Sequence, residues 1–292
     1  VKKEERAEVG KKANEAKNKI ESLIKDAEKS IENEKLERSL KEDWIDVTVP
    51  GKRPQKGSLH PITQLLQKTE DIFVNMGFEV EIPYEVDDDY HNFESVNIPK
   101  GHPARDAWDT FITENKNALI PHTSSMQNRV MKNRKPPIRV IVPGKCFRNE
   151  ATDARHEHTF YQVEGVYVDK GITVTDMLGT LKTYFEAFFE QDIDVKFMPD
   201  YFPFVEPGGQ IALTCVLCEG KGCRVCKGSG WLEILGCGMI HPKVLEMAGL
   251  DSTVYTGFAW GFGLERLIML KHNINDIRLF HKGDLRFTKQ FN

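Results

Sequence analysis

The 292-residue chain predicts an α+β protein built on a mixed, mainly antiparallel sheet flanked by helices, and three observations carry that prediction. Runs rich in β-branched and aromatic residues at 78–83, 138–142, 146–149, 160–168 and 231–235 read as strands. Between them, Met177, Leu178, Leu181, Phe185 and Phe188 recur with the 3.6-residue period of a helix spanning Thr175 to Glu190. No Gly-x-Gly-x-x-Gly follows an early strand, which disfavours a doubly wound parallel sheet.

Taken in order, residues 1–42 form the first segment, with 23 charged side chains (12 basic, 11 acidic) and no proline. Val9, Ala13, Ala16, Ile20, Leu23 and Ala27 follow one another at 4-3-4-3-4 spacing, the seam of a coiled coil; the alternative is a single solvated helix. A seam on so charged a helix needs a partner helix, and because the chain starts at Val1 we expect an earlier arm helix to be missing. From residue 43 the composition becomes that of a second domain, 43–292. Asp46 to Gly51 reads as a short strand closed by a turn, Leu59 to Met76 as an amphipathic helix stopped at Gly77, and Phe78 to Pro83 as a strand ended by proline.

Composition narrows the function classes. With 40% apolar residues the chain can bury a sizeable core, as one large domain or two small ones. The net charge of −4 argues against a strongly basic nucleic-acid binder, so any RNA contact is local or shared with a partner. No run of eighteen apolar residues occurs and the highly charged start is no secretory signal, so no membrane span and a cytosolic location are expected.

Two motifs carry chemistry. Cys146-Phe147-Arg148-Asn149-Glu150 and Gly261-Phe262-Gly263-Leu264-Glu265-Arg266 each set an arginine beside a glutamate at an element edge, which suits gripping a triphosphate from two sides. Either alone is weak; their order and separation make the pair specific. Cys215, Cys218, Cys223 and Cys226 form two Cys-x-x-Cys knuckles four residues apart, the spacing of a closed tetrahedral zinc site, with two disulfides or an iron–sulfur cluster as alternatives. Four closed ligands imply a structural metal. Cys146 and Cys237 stand apart and read as core residues.

From about Asp46 to Phe291 the chain resembles the catalytic alpha subunit of bacterial phenylalanyl-tRNA synthetase, a class II aminoacyl-tRNA synthetase. The resemblance rests on Asp88-Asp89-Tyr90-His91-Asn92-Phe93, His102-Pro103-Ala104-Arg105, His122-Thr123-Ser124, Phe202-Pro203-Phe204-Val205-Glu206-Pro207, Gly238-Met239-Ile240-His241-Pro242 and Asp284-Leu285-Arg286-Phe287. It implies the class II catalytic fold with an arm helix and a small zinc-knuckle insertion. It also implies ATP-dependent activation of L-phenylalanine and its transfer to the terminal ribose of tRNA(Phe). A helix and strand used in subunit association would span roughly Leu59 to Pro83.

The same resemblance assigns roles. Arg148 would sit on the α-phosphate, Phe160 on the adenine ring, and His156 and Glu150 on phosphate and adenine or metal-linked groups, under the loop Asn149 to Thr159. Arg266 would reach the γ-phosphate, with Glu233 and Glu206 as Mg²⁺-linked carboxylates. Ser124, Gln162 and Glu164 would accept the substrate ammonium, with His122 and Gln127 nearby. Phe202 and Phe204 would form the ring pocket, and Val205, Gly236 and Ala259 its walls. Trp108 would pack near the substrate, with a core role as its alternative.

The chain also departs from the family pattern. One helix of the usual arm hairpin is expected to be missing, the Cys insertion is found in only some members, and Cys237 and Trp260 stand where smaller or different apolar residues are expected. No anticodon-reading domain follows Phe291, so a beta subunit and an α2β2 assembly are expected. The rival readings are an adenylate-forming ligase that never charges tRNA, and a non-catalytic scaffold; retention of both Arg148 and Arg266 weighs against the second.

Overall fold

A computed structural model describes residues 3–42, 46, 48–49, 51, 57–107 and 109–291. The chain separates into two units, Val1–Lys56 and Gly57–Asn292. The first contains one long helix, α1 (Lys3–Glu42). Its seam stays in solvent, with Val9, Ile20 and Leu23 all more than half exposed. No strand forms among the described residues of the Asp46–Gly51 stretch, where Thr48 and Asp46 instead close a turn through the Asp46 carboxylate; Val47 and Pro50 lie outside the described residues.

The second unit opens with α2 (Pro61–Asn75), started by Pro61 and by the His60 ring, which accepts from the Ile62 amide. It ends before Gly77, whose φ of +85° only glycine adopts without strain. The short strand β1 (Glu79–Val80) follows, then β2 (Val86–Asp87), α3 (Asp89–Asn92), α4 (Ala104–Ala107), β3 (Ala118–Leu119) and α5 (Gln127–Lys132). The body of the sheet comes next: β4 (Ile138–Phe147), β5 (Thr159–Asp169), α6 (Val174–Phe189), β6 (Val195–Pro199), β7 (Val205–Thr214), β8 (Trp231–Ile240), α7 (Pro242–Met247), β9 (Thr256–Gly263), α8 (Leu264–His272) and α9 (Leu285–Thr288).

Seven strands pair in the order β1-β4-β5-β9-β8-β7-β6, antiparallel throughout except β1 on β4. The α+β expectation therefore holds. The run at 138–142 and the first two residues of that at 146–149 are one strand, Arg148 and Asn149 lying beyond its end, and β6, β7 and β9 escape the sequence pattern. Glycines break the β-branched signature in the last two: Gly208 and Gly209 in β7, and Gly257, Gly261 and Gly263 in β9.

Alternation along the strands sorts side chains to two faces. Ile141, Val163, Phe258, Trp260 and Phe262 face α2, α6 and α8, meeting Phe73, Met177, Leu181, Tyr184, Phe185 and Leu267 in the larger core. Tyr184, outside the apolar stripe read from sequence, is fully buried there and stacks on Phe73 at 4.5 Å. A capping box between Thr173 and Asp176 starts α6. Val140, Val142, Val166 and Ala259 point to the opposite face, toward α5 and α7. That second face is left partly uncovered, and there the polar residues of β5 gather.

Candidate active site

Arg148 leaves the end of β4, and its amide donates to the His158 carbonyl at 2.9 Å, so the loop closes at its base before β5 begins. Its side chain is about a quarter exposed. The guanidinium lies over the Phe160 ring at 4.9 Å, donates through Nε to the Pro121 carbonyl at 3.0 Å, and has Glu150 at 3.9 Å. Burial lowers its pKa, but a guanidinium keeps its charge under any such shift. His156 sits at the exposed tip of the loop, its amide and ring held by Asp153, whose own carboxyl is pulled to about 2 by donation from the Arg155 amide and then from His156.

Beside Arg148 lies a cavity of about 170 Å³ lined by His122, Ser124, Gln127, Gln162, Glu164, Phe202, Phe204, Gly236, Ala259 and the Arg148 side chain. Ten of the expected site residues thus meet at one place. Glu164 is its anchor: Ser124 Oγ donates to it at 2.5 Å, Thr123 Oγ1 at 3.4 Å, and Gln127 Nε2 makes a third, short hydrogen bond. Burial nonetheless pushes the Glu164 carboxyl up to about 7, the three donors opposing it. Gln127 Oε1 is buried and accepts from no other described residue. A donor-rich cation satisfies both groups, which is the chemistry of a primary ammonium. His122, buried and beside Arg148, has its pKa lowered to about 3 by burial first and then by the guanidinium charge, so it is neutral.

Two features of this pocket were not singled out as site residues in the sequence. Thr123 joins the Glu164 network, a role its place inside His122-Thr123-Ser124 signals. Gly261 pairs with Glu164 across β5 and β9, and a Cβ there would stand 2.7 Å from Gln162 Nε2. Glycine is what lets the strand pass under the polar cluster.

The apolar wall is made by Phe202 and Phe204, stacked at 5.9 Å with 23° between their planes. Gly236 keeps room for them, since a Cβ would lie 3.1 Å from the tip of Phe202. Val205 does not line the cavity; it is packed into the core with Ile240 and Val244. Cys237 and Trp260 do border it, but their side chains belong to the opposite core, where Trp260 packs on Phe73 and Phe78. Neighbouring strand residues point to opposite faces, so these two offer backbone to the cavity and their bulk costs it nothing.

Other expected residues stand outside the cavity. Arg266 is exposed on the first turn of α8, while its neighbour Glu265 turns inward, accepts from the Tyr161 amide at 2.8 Å and is pushed up to about 8 by burial. The glutamate beside the second arginine thus ties α8 to the start of β5. Glu233 is exposed on β8, and Glu206 is exposed with His241 at 3.6 Å. Trp108 lies outside the described residues.

The four cysteines sit on the loop between β7 and β8. All four Sγ atoms fall within 4.8 Å of one another, and three of their separations are 3.7–3.8 Å. Four thiolates about 2.3 Å from one tetrahedral ion would be about 3.8 Å apart, so the set fits zinc. Backbone amides of Gly222, Cys223 and Gly230 donate to Cys218 and Cys226 sulfurs, as thiolates require. A disulfide needs sulfurs about 2.0 Å apart, and no cysteine is in one.

The family described as tRNA synthetases class II core domain (F) matches residues 44–291, and that described as aminoacyl tRNA synthetase class II, N-terminal domain, matches residues 1–40. The phenylalanine--tRNA ligase alpha subunit of Caldicellulosiruptor saccharolyticus is 47% identical over 99% of this chain and 85% of its own length. Its namesakes from Clostridium botulinum and Clostridium perfringens are 48% identical with the same coverage. Among solved structures, a pyrrolysyl tRNA synthetase, PylSc of Desulfitobacterium hafniense, superposes with a TM-score of 0.56 at 18% identity, over 85% of this chain and 78% of that one, a likeness of fold.

Proposed function

The chain belongs to the phenylalanine--tRNA ligase alpha-subunit family, and on that premise we propose that its cavity is where L-phenylalanine is bound and activated. The observation that carries this reading is the buried Glu164 with its three donors, set opposite an aromatic wall and one strand from Arg148. The ammonium goes to Glu164, Gln127, Gln162 and Ser124, and the benzyl group goes between Phe202, Phe204, Gly236 and Ala259. That leaves the carboxylate directed at Arg148.

ATP binds along the adjoining loop, adenine on Phe160, phosphates on Arg148, with Glu150, His156, Glu233 and Arg266 as further contacts. The substrate carboxylate attacks the α-phosphorus in line, forming the acyl–phosphate bond as the bond to pyrophosphate breaks. It is already ionised, so no general base is needed. Arg148 holds the entering carboxylate and the α-phosphoryl oxygens together and offsets the charge that builds between them. A neutral His122 beside it adds no competing cation. A terminal ribose hydroxyl of tRNA(Phe) then attacks the acyl carbon and AMP leaves. Mg²⁺, when bound, spreads the triphosphate charge, and the exposed carboxylates Glu206 and Glu233 are its candidate ligands.

Residues 1–42 are read as the arm that reaches tRNA and 43–292 as the catalytic domain, working in the cytoplasm in an α2β2 assembly with a beta subunit. Phenylalanine-dependent ATP–pyrophosphate exchange, with and without that subunit and across the amino acids, tests the reading. Stronger exchange with another amino acid would overturn it.

Two smaller predictions follow from particular residues. Ala259→Gly removes the methyl at the pocket floor and should raise kcat/KM for para-chlorophenylalanine relative to phenylalanine by about tenfold or more; an unchanged ratio removes Ala259 from the pocket. Zinc in the Cys215, Cys218, Cys223, Cys226 site should be measurable at one equivalent by metal analysis. Chelation should release it, expose four reactive thiols and lower the thermal midpoint by several degrees. The buried Cys146 and Cys237 should stay unreactive in that assay.

A further inference from the structure

The aromatic turn Phe202-Pro203-Phe204 lies between β6 and β7 and is pinned by a residue more than a hundred positions earlier. Asn97 Nδ2 donates to the Pro203 carbonyl at 2.6 Å. Asn97 ends the 3-10 turn Glu94–Val96 at φ 62°, in the left-handed region that Asn tolerates better than most residues with a side chain.

The platform behind it is buried and tied by hydrogen bonds. Phe93, Val96 and Ile98 are buried, and Phe204 packs against that cluster. The Arg105 guanidinium lies over Phe93 at 4.7 Å, donates to the Ile98 carbonyl at 3.0 Å, and is held by Asp89 at 2.6 Å. Apolar packing lets rings slide by fractions of an ångström, whereas a hydrogen bond to the carbonyl between the two rings fixes where both stand.

We propose that Asn97 is a positioning residue that sets the width of the amino-acid pocket, acting through the Pro203 carbonyl on the rings of Phe202 and Phe204. It rests on the reading of those rings as the benzyl-binding wall. The left-handed backbone delivers the amide, the buried platform holds its base, and the donated proton fixes the turn. Discrimination between phenylalanine and its para-substituted analogues then depends on a residue that touches neither.

Two variants separate the hydrogen bond from the backbone. Asn97→Gly keeps the left-handed conformation and loses the donor; Asn97→Asp keeps the shape and aims a carboxylate at the carbonyl. In ATP–pyrophosphate exchange by the complex with the beta subunit, KM for phenylalanine should rise about five- to tenfold in Asn97→Gly and further in Asn97→Asp. The preference over para-chlorophenylalanine should narrow, while KM for ATP and kcat at saturating phenylalanine stay within about twofold, a split that general destabilisation would not produce. Unchanged phenylalanine KM and discrimination in both variants overturn the proposal, even if the thermal midpoint falls. Phe202→Leu is the control: altered discrimination there with silent Asn97 variants sinks the positioning role alone, and silence in all three sinks the pocket reading with it.

Discussion

Replacing Arg148 by lysine should lower kcat/KM for phenylalanine-dependent ATP–pyrophosphate exchange by about 10²- to 10³-fold, the usual effect of losing one preorganised donor group at a reacting centre. The lysine keeps the charge but not the fork. Two parallel N–H groups can span a carboxylate oxygen and a phosphoryl oxygen at once; an ammonium is a point charge that must choose. The guanidinium is also held before substrate arrives, by the Phe160 face at 4.9 Å and the Pro121 carbonyl at 3.0 Å. A lysine has neither constraint and would have to be ordered during the reaction. Arg148→Ala should be at least as severe, with the fold intact by thermal melting because the side chain packs into neither core. A loss below tenfold in both variants would remove Arg148 from the chemistry.

Glu164→Gln should raise KM for phenylalanine by a similar factor. Breaking one side of a buried charge pair typically costs about 3–5 kcal/mol, some two to three and a half powers of ten in affinity. The pH dependence gives a second and sharper reading. Burial pushes the Glu164 carboxyl up to about 7 in the unliganded protein. Only the ionised form attracts an ammonium, so phenylalanine affinity should fall as pH drops through 7, and the fall should be absent in Glu164→Gln. For the unliganded fold the sign is opposite. Because the folded pKa lies above the unfolded one, the native state binds the extra proton between pH 4.5 and 7, and this carboxyl's contribution to stability is lost as pH rises through that window. Phenylalanine should therefore stabilise the protein most above pH 7, where the bare carboxylate is least comfortable. Calorimetric titration and melting from pH 5.5 to 8.5 check both statements; a flat affinity profile in the parent protein would contradict them.

Much of this site is legible only through the family resemblance, whose motifs are short contiguous blocks. His122-Thr123-Ser124, Gln162 with Glu164, and Phe202 with Phe204 each place partners one or two residues apart, so local spacing already puts them on one turn or one strand face. The cysteine set is legible from its own spacing. Glycine-rich β7 and β9 are not, since strands whose side chains are absent by design lack the β-branched pattern that marks a strand. Val205, which the family resemblance implies as a pocket wall, turns into the core beside Ile240 instead.

Sequence by itself determined the α+β class and the spacing of the four thiols, because pattern and spacing along one chain segment are local properties; the residues proposed for the ammonium network and the aromatic wall come from the family resemblance. Which face of a strand a residue occupies across the sheet, how far burial lifts Glu164, and which distant donor holds the aromatic turn were decided only by tertiary structure. Trp260 shows the difference most plainly. By position it crowds the pocket, but the pleat sends its indole to the opposite core and leaves only its backbone at the site. Desolvation and long-range hydrogen bonds depend on what the fold brings near, and residues 97 and 203 become neighbours only once the sheet and its flanking turns are assembled.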